Sequence, residues 1–465
     1  MTKNVTFSLG NVALIDKIDA QTQFFESILG GIGGRSQTFI PSVKLLISNK
    51  LDQSVSVNKI LDFAPDELLE TLGFERKVSD RSLYRTLERL GERQPIILER
   101  FQQWVKDRGL VDSVQVMDFS SSYFEGTKCP LGALGYSRDS QPGKLQFTFG
   151  ISVGMNGIPT MLTIQKGNVQ DKAHMGSLIR LCAKVLPKKS LLVFDCGGNT
   201  KKNKQKIRGL QLHYLTLKAK KKGPYRNEIA VYNAKEEDRV SFSLNDRRYS
   251  CVKHKDGEEY RYVFFSEDLA SDQLAKKTRK LEQDLEKGKN LAKKVKQGKD
   301  LDQFIYPDGW IIARGHFQNV FGDVPNPYIT GLEGFFVLES SIDEDPEKIL
   351  TAYKNRDRAE KFIRDLKEGA EMRPVRHWSK YAVIGYVLIV FLTKVLTSLT
   401  DVFCKNHVVK NLKVLKKYLS NLTLTIVYPA FGYPVRIISN FSSELEPILG
   451  DFVRKYGNLE VPNLW

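Results

Sequence analysis

The sequence contains few cysteines, and none of them falls in a pattern typical of a structural role. They have no C-x-x-C pair and no neighbouring cluster of histidines. The five are scattered along the 465 residues: Cys129, Cys182, Cys196, Cys251 and Cys404. A disulfide framework or a structural zinc site is therefore not expected, and the composition fits a reducing compartment.

Long hydrophobic segments are also absent. The first residues, MTKNVTFSLGNVALIDKID, contain no apolar core long enough for a signal peptide. The most apolar segment, from Tyr381 to Leu392, is closed by Lys394 and falls short of the about 20 residues that a membrane span needs. We expect a buried helix there, and a soluble, cytoplasmic protein without a membrane partner that is nucleoid-associated when bound to DNA.

Negative charge is scarce relative to positive charge. Lys and Arg number 71 against 54 Asp and Glu, which gives a net charge of +17 and a pI near 9.4. This excess, with aromatic residues interleaved, favours a polyanionic partner, and nucleic acid before an anionic membrane. A merely soluble basic protein would have the same excess. The length leaves room for roughly two to four domains.

Residues 1–112 are predicted to form a helical N-terminal region. The clearest helix is SDRSLYRTLERL, for which Ser79 is a suitable N-cap. Its leucines and arginines fall on two different faces: Leu83, Leu87 and Leu90 on one, and Arg81, Arg85 and Arg89 on the other. A small DNA-binding unit and a plain helical bundle both have this pattern, and the sequence leaves both open.

From Ser113 the pattern becomes that of an α/β domain. Strands are predicted in SVQVMDF, in the alternating segment LQFTFGISV, in PTMLTIQ, in the apolar run SLLVFD and in LQLHYLTLK. Helices are predicted at about 173–185 and 200–208. The resulting order, β-β-β-α-β-α-β, is typical of a mixed sheet with helices on its faces.

Residues 226–340 interrupt this scheme with short predicted strands and one long helix. The strands are IAVYN, RVSFSL, RYSCVK, YRYVFFS and the closing FFVLES, and the helix runs from about Leu269 to Lys296. Ten Lys or Arg against three acids lie between Lys276 and Lys299. They fit a solvated helix surface, or contact with a DNA backbone. The predicted organisation is 1–112 helical, 113–225 first core part, 226–340 β-rich insertion, 341–400 second core part and 401–465 basic C-terminal region.

Two aspartates lie at or near the ends of predicted strands. Asp118 occurs in VQVMDFSSSYFEG and Asp195 in LLVFDCGGNTKKN. Taken singly, an aspartate in such a place is more often a turn or helix-cap residue. Together with an acid on a helix, they would supply oxygen ligands of the kind that Mg²⁺ binds in proteins.

Such an acid occurs between Tyr353 and Lys367, where the spacing is Y-x2-R-x3-E-x6-K. Drawn as one helix, Tyr353, Arg356, Glu360 and Lys367 fall within a sector of roughly 60°, beside an apolar stripe that can pack on a core. A metal-binding Glu would then be flanked by phosphate-binding cations. An ordinary amphipathic helix with i,i+4 ion pairs would show the same pattern.

Taken together, these segments resemble the insertion-sequence transposases of the DDE type. More narrowly, they resemble the insertion-sequence-four-like branch that carries the Y-R-E-K signature. The resemblance rests on DFSSSYFEG, on Gly135–Asp171, on DCGGNTKKN and on the spaced Tyr-Arg-Glu-Lys set, which follow the family's order between about Val114 and Leu392.

The resemblance implies a ribonuclease-H-like mixed sheet, with the β-rich insertion between its last strand and the Glu helix. It implies that Asp118, Asp195 and Glu360 are the catalytic triad and hold Mg²⁺, in a pair of ions for which Mn²⁺ can substitute. It also implies DNA-contacting or phosphate-positioning roles for six side chains: Tyr353, Arg356, Lys367, Asn203, Arg373 and His377.

The sequence departs from the family in two places. Tyr386 follows Gly385 where many relatives have His, and Cys196-Gly197-Gly198 is an unusual version of the loop after the second Asp. Neither departure is at a triad residue, so both affect the expected substrate contacts more than the expected catalysis.

The activity that the resemblance implies is transposition. The enzyme would nick double-stranded DNA at terminal inverted repeats and join the freed 3′-hydroxyl to target DNA, as a homodimer in a synaptic complex. Two other functions stay open. A catalytically inactive DNA-binding protein derived from a transposase would have a damaged triad, and a ribonuclease-H-like nuclease would cut without strand transfer.

Overall fold

The computed structural model describes residues 4–296, 326, 328–403, 411–457 and 459–460. The chain divides into two units, Met1–His213 with Lys354–Trp465, and Tyr214–Tyr353. Cys404 and the basic residues just after it lie outside the described part. So do the side chains from Lys287 to Lys299, which belong to the predicted basic run between Lys276 and Lys299. The domain boundaries predicted from the sequence stay predictions.

The described residues contain the following helices and strands. The helices are α1 (Gly10–Thr22), α2 (Phe24–Leu29), α3 (Phe39–Leu51), α4 (Ile60–Phe63), α5 (Asp66–Thr71), α6 (Asp80–Glu92), α7 (Gln94–Asp107), α8 (Asp171–Cys182), α9 (Lys201–Gly209), α10 (Lys222–Ala234), α11 (Glu267–Lys296), α12 (Pro346–Lys354), α13 (Asp357–Arg364), α14 (Lys380–Phe403), α15 (Leu412–Asn421) and α16 (Glu446–Leu449). The strands are β1 (Asn4–Ser8), β2 (Val114–Tyr123), β3 (Gln146–Gly154), β4 (Pro159–Lys166), β5 (Leu191–Phe194), β6 (His213–Leu217), β7 (Val240–Leu244), β8 (Arg247–Asp256), β9 (Glu259–Phe265), β10 (Phe335–Ser340), β11 (Thr423–Val427), β12 (Val435–Ser439) and β13 (Leu459–Glu460).

The first unit contains a mixed sheet with the strand order β4-β3-β2-β5. Strands β2, β3 and β4 pair antiparallel, whereas β5 pairs parallel with β2. This confirms the predicted mixed α/β fold, with α8 between β4 and β5. Every residue of β3 is buried, not only alternate residues as the alternating segment LQFTFGISV predicts, because helices cover a sheet of this kind.

The N-terminal region is helical, with one exception that the sequence did not reveal. Residues Asn4–Ser8 form β1, which pairs with β11 in a second sheet of order β1-β11-β12-β13. The helix predicted after Ser79 is confirmed as α6. The Ser79 hydroxyl accepts the Ser82 N–H at 3.3 Å, and Leu83 and Leu87 are fully buried.

The apolar segment after Tyr381 forms α14, which is long and apolar enough to cross a membrane by length and composition. Most of its residues are buried within the first unit, which confirms the predicted buried helix. It packs against α6 with backbone contact at two glycines. A Cβ atom on Gly91 would lie 1.9 Å from Tyr381 O, and one on Gly385 would lie 1.9 Å from Leu87 O.

The second unit is an antiparallel sheet of order β6-β10-β9-β8-β7 with α10 and α11. The strand predicted for IAVYN is wrong, since these residues lie within α10. Tyr225, Ile229 and Tyr232 follow a helical spacing and pack on the same core as Val252 and Val263. Apolar residues that suggest a short strand therefore serve as one face of a helix.

Candidate active site

Asp118 and Asp195 come from two neighbouring parallel strands. The pairing of β2 with β5 sets Val114 opposite Leu191 and Val116 opposite Val193, and the same register continued places Asp118 beside Asp195. Strand β5 ends one residue before Asp195. Strand β2 runs on to Tyr123, so the prediction that Asp118 lies at or near the end of its strand is wrong. The longer antiparallel pairing with β3 continues β2 past this residue.

Asp118 is a mostly buried acid of the predicted triad. Its side chain is 17% exposed, and burial, the largest cause, raises its pKa to about 6. The Arg356 guanidinium and the Phe119 N–H lower this pKa, while Asp195 and Glu360 raise it further. The charges of Asp195 and Glu360 therefore both act on Asp118.

Arg356 and Glu360 are brought to Asp118 by α13. Arg356 precedes the first residue of this helix and Glu360 lies in its first turn, so the two form an i,i+4 ion pair through Nη2 and Oε1. The other terminal nitrogen of Arg356, Nη1, lies 3.9 Å from Asp118 Oδ1. The guanidinium thus neutralises charge between two acids that would otherwise repel.

The segment from Tyr353 to Lys367 is not the single helix that the sequence predicted. Helix α12 ends at Lys354, and α13 starts anew because Arg358 and Ala359 donate backbone hydrogen bonds to Asn355 and Arg356. A π-helical turn, Asp365–Gly369, follows α13. Tyr353 therefore belongs to a different helix, and Lys367 does not continue the Arg356–Glu360 face.

Lys367 and Arg373 meet at an acid that the sequence motifs did not single out. Lys367 Nζ lies 2.7 Å and Arg373 Nη1 2.5 Å from the same oxygen of Asp139. The side chains of Asp139 and Lys367 are only 1% and 8% exposed, and burial lowers the pKa of Lys367 although Asp139 opposes this. Lys367 is therefore directed at an internal carboxylate. The only sequence signal for Asp139 is its place inside the Gly135–Asp171 segment.

Asn203 lies on α9 with a buried side chain. Its amide donates to the carbonyl oxygens of Lys172 and Gly198, each at 3.0 Å, while its own N–H is capped by the Thr200 hydroxyl at 3.1 Å. These bonds tie the loop after Asp195 to the start of α8. Asn203 therefore holds the backbone near the second aspartate, and its amide is not directed at the surface.

His377 lies at a cleft of about 690 Å³ in the first unit. Its ring packs against Tyr84 and Tyr386, with centroid distances of 6.0 and 5.0 Å, and burial lowers its pKa to about 4. Lys50, whose pKa burial lowers to about 8, and the largely exposed Trp378 also line this cleft. The structure does not bring His377 to the three acids.

A fourth acid, Asp171, lies beside the loop that follows Asp195. Arg138 Nη2 lies 2.6 and 2.5 Å from its two carboxylate oxygens. Gly197 leaves the space between the two aspartates, since a Cβ atom there would lie 3.1 Å from both Asp171 Oδ2 and Asp195 Oδ1. The Gly197 N–H also donates to Asp195 Oδ1 at 2.9 Å. The unusual glycine in this loop therefore makes the close approach possible.

The donor types at this site fit a hard divalent cation. Asp118, Asp195 and Glu360 supply carboxylate oxygens. Burial is the main cause of the raised pKa of Asp118, and a bound cation would also offset the smaller repulsion from Asp195 and Glu360. Within the described part of the chain, no three acidic, His or Cys side chains are close enough to hold a metal ion as they stand. The Glu360 side chain is half exposed and is paired with Arg356.

Comparison with known proteins gives a distant similarity to solved structures. No protein-family model matches the chain, and no curated protein matches it. Among solved structures, the chain is similar to a piggyBac transposase in a synaptic complex with hairpin DNA. The TM-score is 0.43 and the identity 10%, over 89% of this chain and 78% of that chain. At this level the similarity assigns neither an activity nor a residue to this protein.

Proposed function

We propose that this chain is a DDE-type DNA transposase of the insertion-sequence-four-like kind, with Asp118, Asp195 and Glu360 as its catalytic acids. The observation that carries the proposal is the meeting of two strand-borne aspartates on paired strands, with a helix-borne glutamate that raises the pKa of Asp118. The sequence order of the three motifs adds to this support. All three acids are present, which argues against an inactive derivative.

The three acids and Arg356 have different roles in the proposed reaction. Magnesium, held by the three carboxylates, would supply Lewis-acid activation of water and of the 3′-hydroxyl for in-line displacement at phosphorus. Asp118 must be ionised to bind a cation, and its pKa of about 6 permits this at neutral pH. Arg356, at 3.9 Å from Asp118, would offset phosphate charge once Glu360 turns to the cation.

The proposed partners are the terminal inverted repeats of an element and its target DNA, bound by a homodimer that holds two ends. The net charge of +17 favours such a partner, and binding should weaken steeply with salt. Tyr353, Arg356 and His377 are proposed DNA contacts. Lys367, Arg373 and Asn203 act, in this proposal, by holding backbone and side chains in place.

The test uses a duplex made from the DNA that flanks the gene, where matching inverted repeats are expected. Wild-type protein with Mg²⁺ should nick this duplex at the repeat, and Glu360→Gln should reduce the rate by at least about 10³-fold, as removal of a catalytic group does. Asp357→Asn is the matched control, because Asp357 lies on the same helix and pairs with Lys361 at its exposed surface.

Three results would count against the proposal. Undiminished cleavage by Glu360→Gln would remove the assigned acid, and equal losses in both variants would indicate damage to α13. A precleaved duplex separates transposase from nuclease, since the proposal requires joining of its 3′-end to a second DNA. Cutting without joining would favour the nuclease.

A further inference from the structure

Asp139 is a buried charge centre in the segment that connects β2 to β3. One of its oxygens accepts both Lys367 and Arg373, at 2.7 and 2.5 Å. Its other oxygen, Oδ2, is buried and has no hydrogen-bond partner among the residues that the structure describes. The Asp139 carboxylate is 1% exposed, so its charge is stabilised mainly by the two cations that it binds. Moving either cation away would leave this buried charge poorly compensated, and the contact therefore fixes the positions of Lys367 and Arg373 more strictly than a surface ion pair would.

Arg138, the residue before Asp139, makes a second ion pair, in which this segment supplies the cation. Arg138 pairs with both oxygens of Asp171, the first residue of α8. Asp171 in turn lies across Gly197 from Asp195, and the Gly197 N–H binds the Asp195 carboxylate. Through Arg138, the same short piece of chain is therefore tied to the loop of the second catalytic aspartate.

The partners of Asp139 lie on the segment that follows Glu360. Arg373 is held by backbone pairing: the Val375 N–H donates to Tyr123 O at 2.9 Å, and the Glu125 N–H donates to Val375 O at 3.0 Å. Lys367 lies instead in the π-helical turn that directly follows α13. The Asp139–Lys367 pair thus anchors the end of the helix that carries Glu360.

We propose that Asp139 is a positioning residue for the catalytic acids. Together with Arg138, it fixes the Glu360 helix on one side and the Asp195 loop on the other, and so sets their separation. This inference rests on the proposed function. It also reassigns Lys367, which acts through Asp139 and not by contacting DNA phosphate.

The first test is steady-state cleavage of the flanking-DNA duplex by Asp139→Asn, which keeps the shape of the side chain and removes its charge. A displacement of about 1 Å at a reacting group costs about 10²-fold in rate. We therefore expect kcat to fall about 10²-fold, with KM for DNA unchanged and a higher Mg²⁺ concentration needed for half-maximal rate. Asp139→Glu, which keeps the charge, should recover part of kcat.

Glu125→Gln is the matched control. Glu125 belongs to the same connection and pairs with Lys144 at 3.2 Å, but both side chains are exposed by more than a third. Loss of this pair should leave kcat, KM and the Mg²⁺ dependence unchanged, because an exposed pair contributes little.

The second test measures unfolding by denaturant for Asp139→Asn, Lys367→Met and the double variant. The double variant removes both charges, so it should be more stable than the sum of the single losses implies, and it should still show the lowered kcat. This variant also serves if Asp139→Asn alone does not fold.

The outcomes are distinct. If the wild-type protein cuts no DNA, the proposed function fails and the positioning role fails with it. If the wild type cuts, and Asp139→Asn or the double variant cuts equally fast, the positioning role alone is overturned. A change confined to KM would overturn it as well, since that would mark the pair as a DNA contact.

Discussion

Arg356 lies between two acids of the predicted triad, with Nη1 3.9 Å from Asp118 Oδ1 and Nη2 paired to Glu360 Oε1. Its positive charge lowers the pKa of Asp118, which burial, Asp195 and Glu360 all raise. The guanidinium therefore holds together carboxylates that would otherwise repel. Because it lies on the chain just before α13, it also couples the start of the Glu helix to strand β2.

Replacement of Arg356 by Gln should raise the pKa of Asp118 above about 6, because the main opposing charge is lost. The measurement is carboxyl-carbon NMR of protein labelled at aspartate, titrated without divalent cations. Asp118→Asn identifies the resonance. An unchanged or lowered pKa in Arg356→Gln would contradict the placement of the guanidinium beside Asp118.

Asp118→Asn should stabilise the metal-free protein at neutral pH while abolishing cleavage. The folded-state pKa of about 6 exceeds the ordinary value of 3.8. The contribution of this carboxyl to stability is therefore full below about pH 4 and is lost as the pH rises through 6. At pH 7 we expect a gain of about 1–3 kcal/mol in the free energy of unfolding, and no gain at pH 3.5.

Denaturant unfolding with a chelator present measures this difference. A variant that is less stable than the wild type at pH 7 would show that its surroundings stabilise the ionised form of Asp118, which is the opposite of the raised pKa.

Gly385→Ala should destabilise the first unit, because the added Cβ would lie 1.9 Å from the carbonyl oxygen of Leu87. Helices α6 and α14 would have to move apart, and overpacking of this kind costs about 1–3 kcal/mol or more. Gly209→Ala is the control, since a Cβ there meets nothing within 4 Å. Equal midpoints for both variants in thermal unfolding would contradict the close helix contact.

His377 should make the protein more sensitive to mild acid. Burial lowers its pKa from 6.5 to about 4, so the unfolded chain takes up the proton first as the pH falls. The contribution of neutral His377 to the free energy of unfolding is thus full above about pH 6.5. It falls by about 1–3 kcal/mol as the pH falls towards 4.

His377→Gln should remove this part of the pH dependence, as measured by unfolding at pH 7.0, 5.5 and 4.5. His174, which has a similarly lowered pKa, remains in both proteins and supplies the common background. Parallel curves for the two proteins would show that His377 titrates normally.

The succession of strands and helices along the chain and the buried apolar helix could be predicted because their signals are local. The aspartate motifs placed two side chains at or near strand ends, but did not show that one β2–β5 register sets them side by side. The strand predicted around Ile229 was wrong because its apolar residues are also spaced for a helix against the sheet. A short apolar run alone does not distinguish a strand from one face of a helix.

The partners of the signature residues could not be predicted from the sequence. Lys367 and Asp139 are 228 positions apart, and no local pattern signals their contact. The break between α12 and α13 has no proline or glycine to announce it, since the turn is made by Asn355 and Arg356. Helical spacing alone therefore placed Lys367 on the wrong face.

The proposed chemistry requires that one cation can lie within reach of Asp118, Asp195 and Glu360 at once. Iron(II) in place of magnesium, with ascorbate and peroxide, cuts the protein backbone beside the bound metal. We predict cuts near all three residues, suppressed by excess Mg²⁺ and absent in Asp118→Asn. Cuts near only one of them, or cuts that persist in Asp118→Asn, would contradict a shared site.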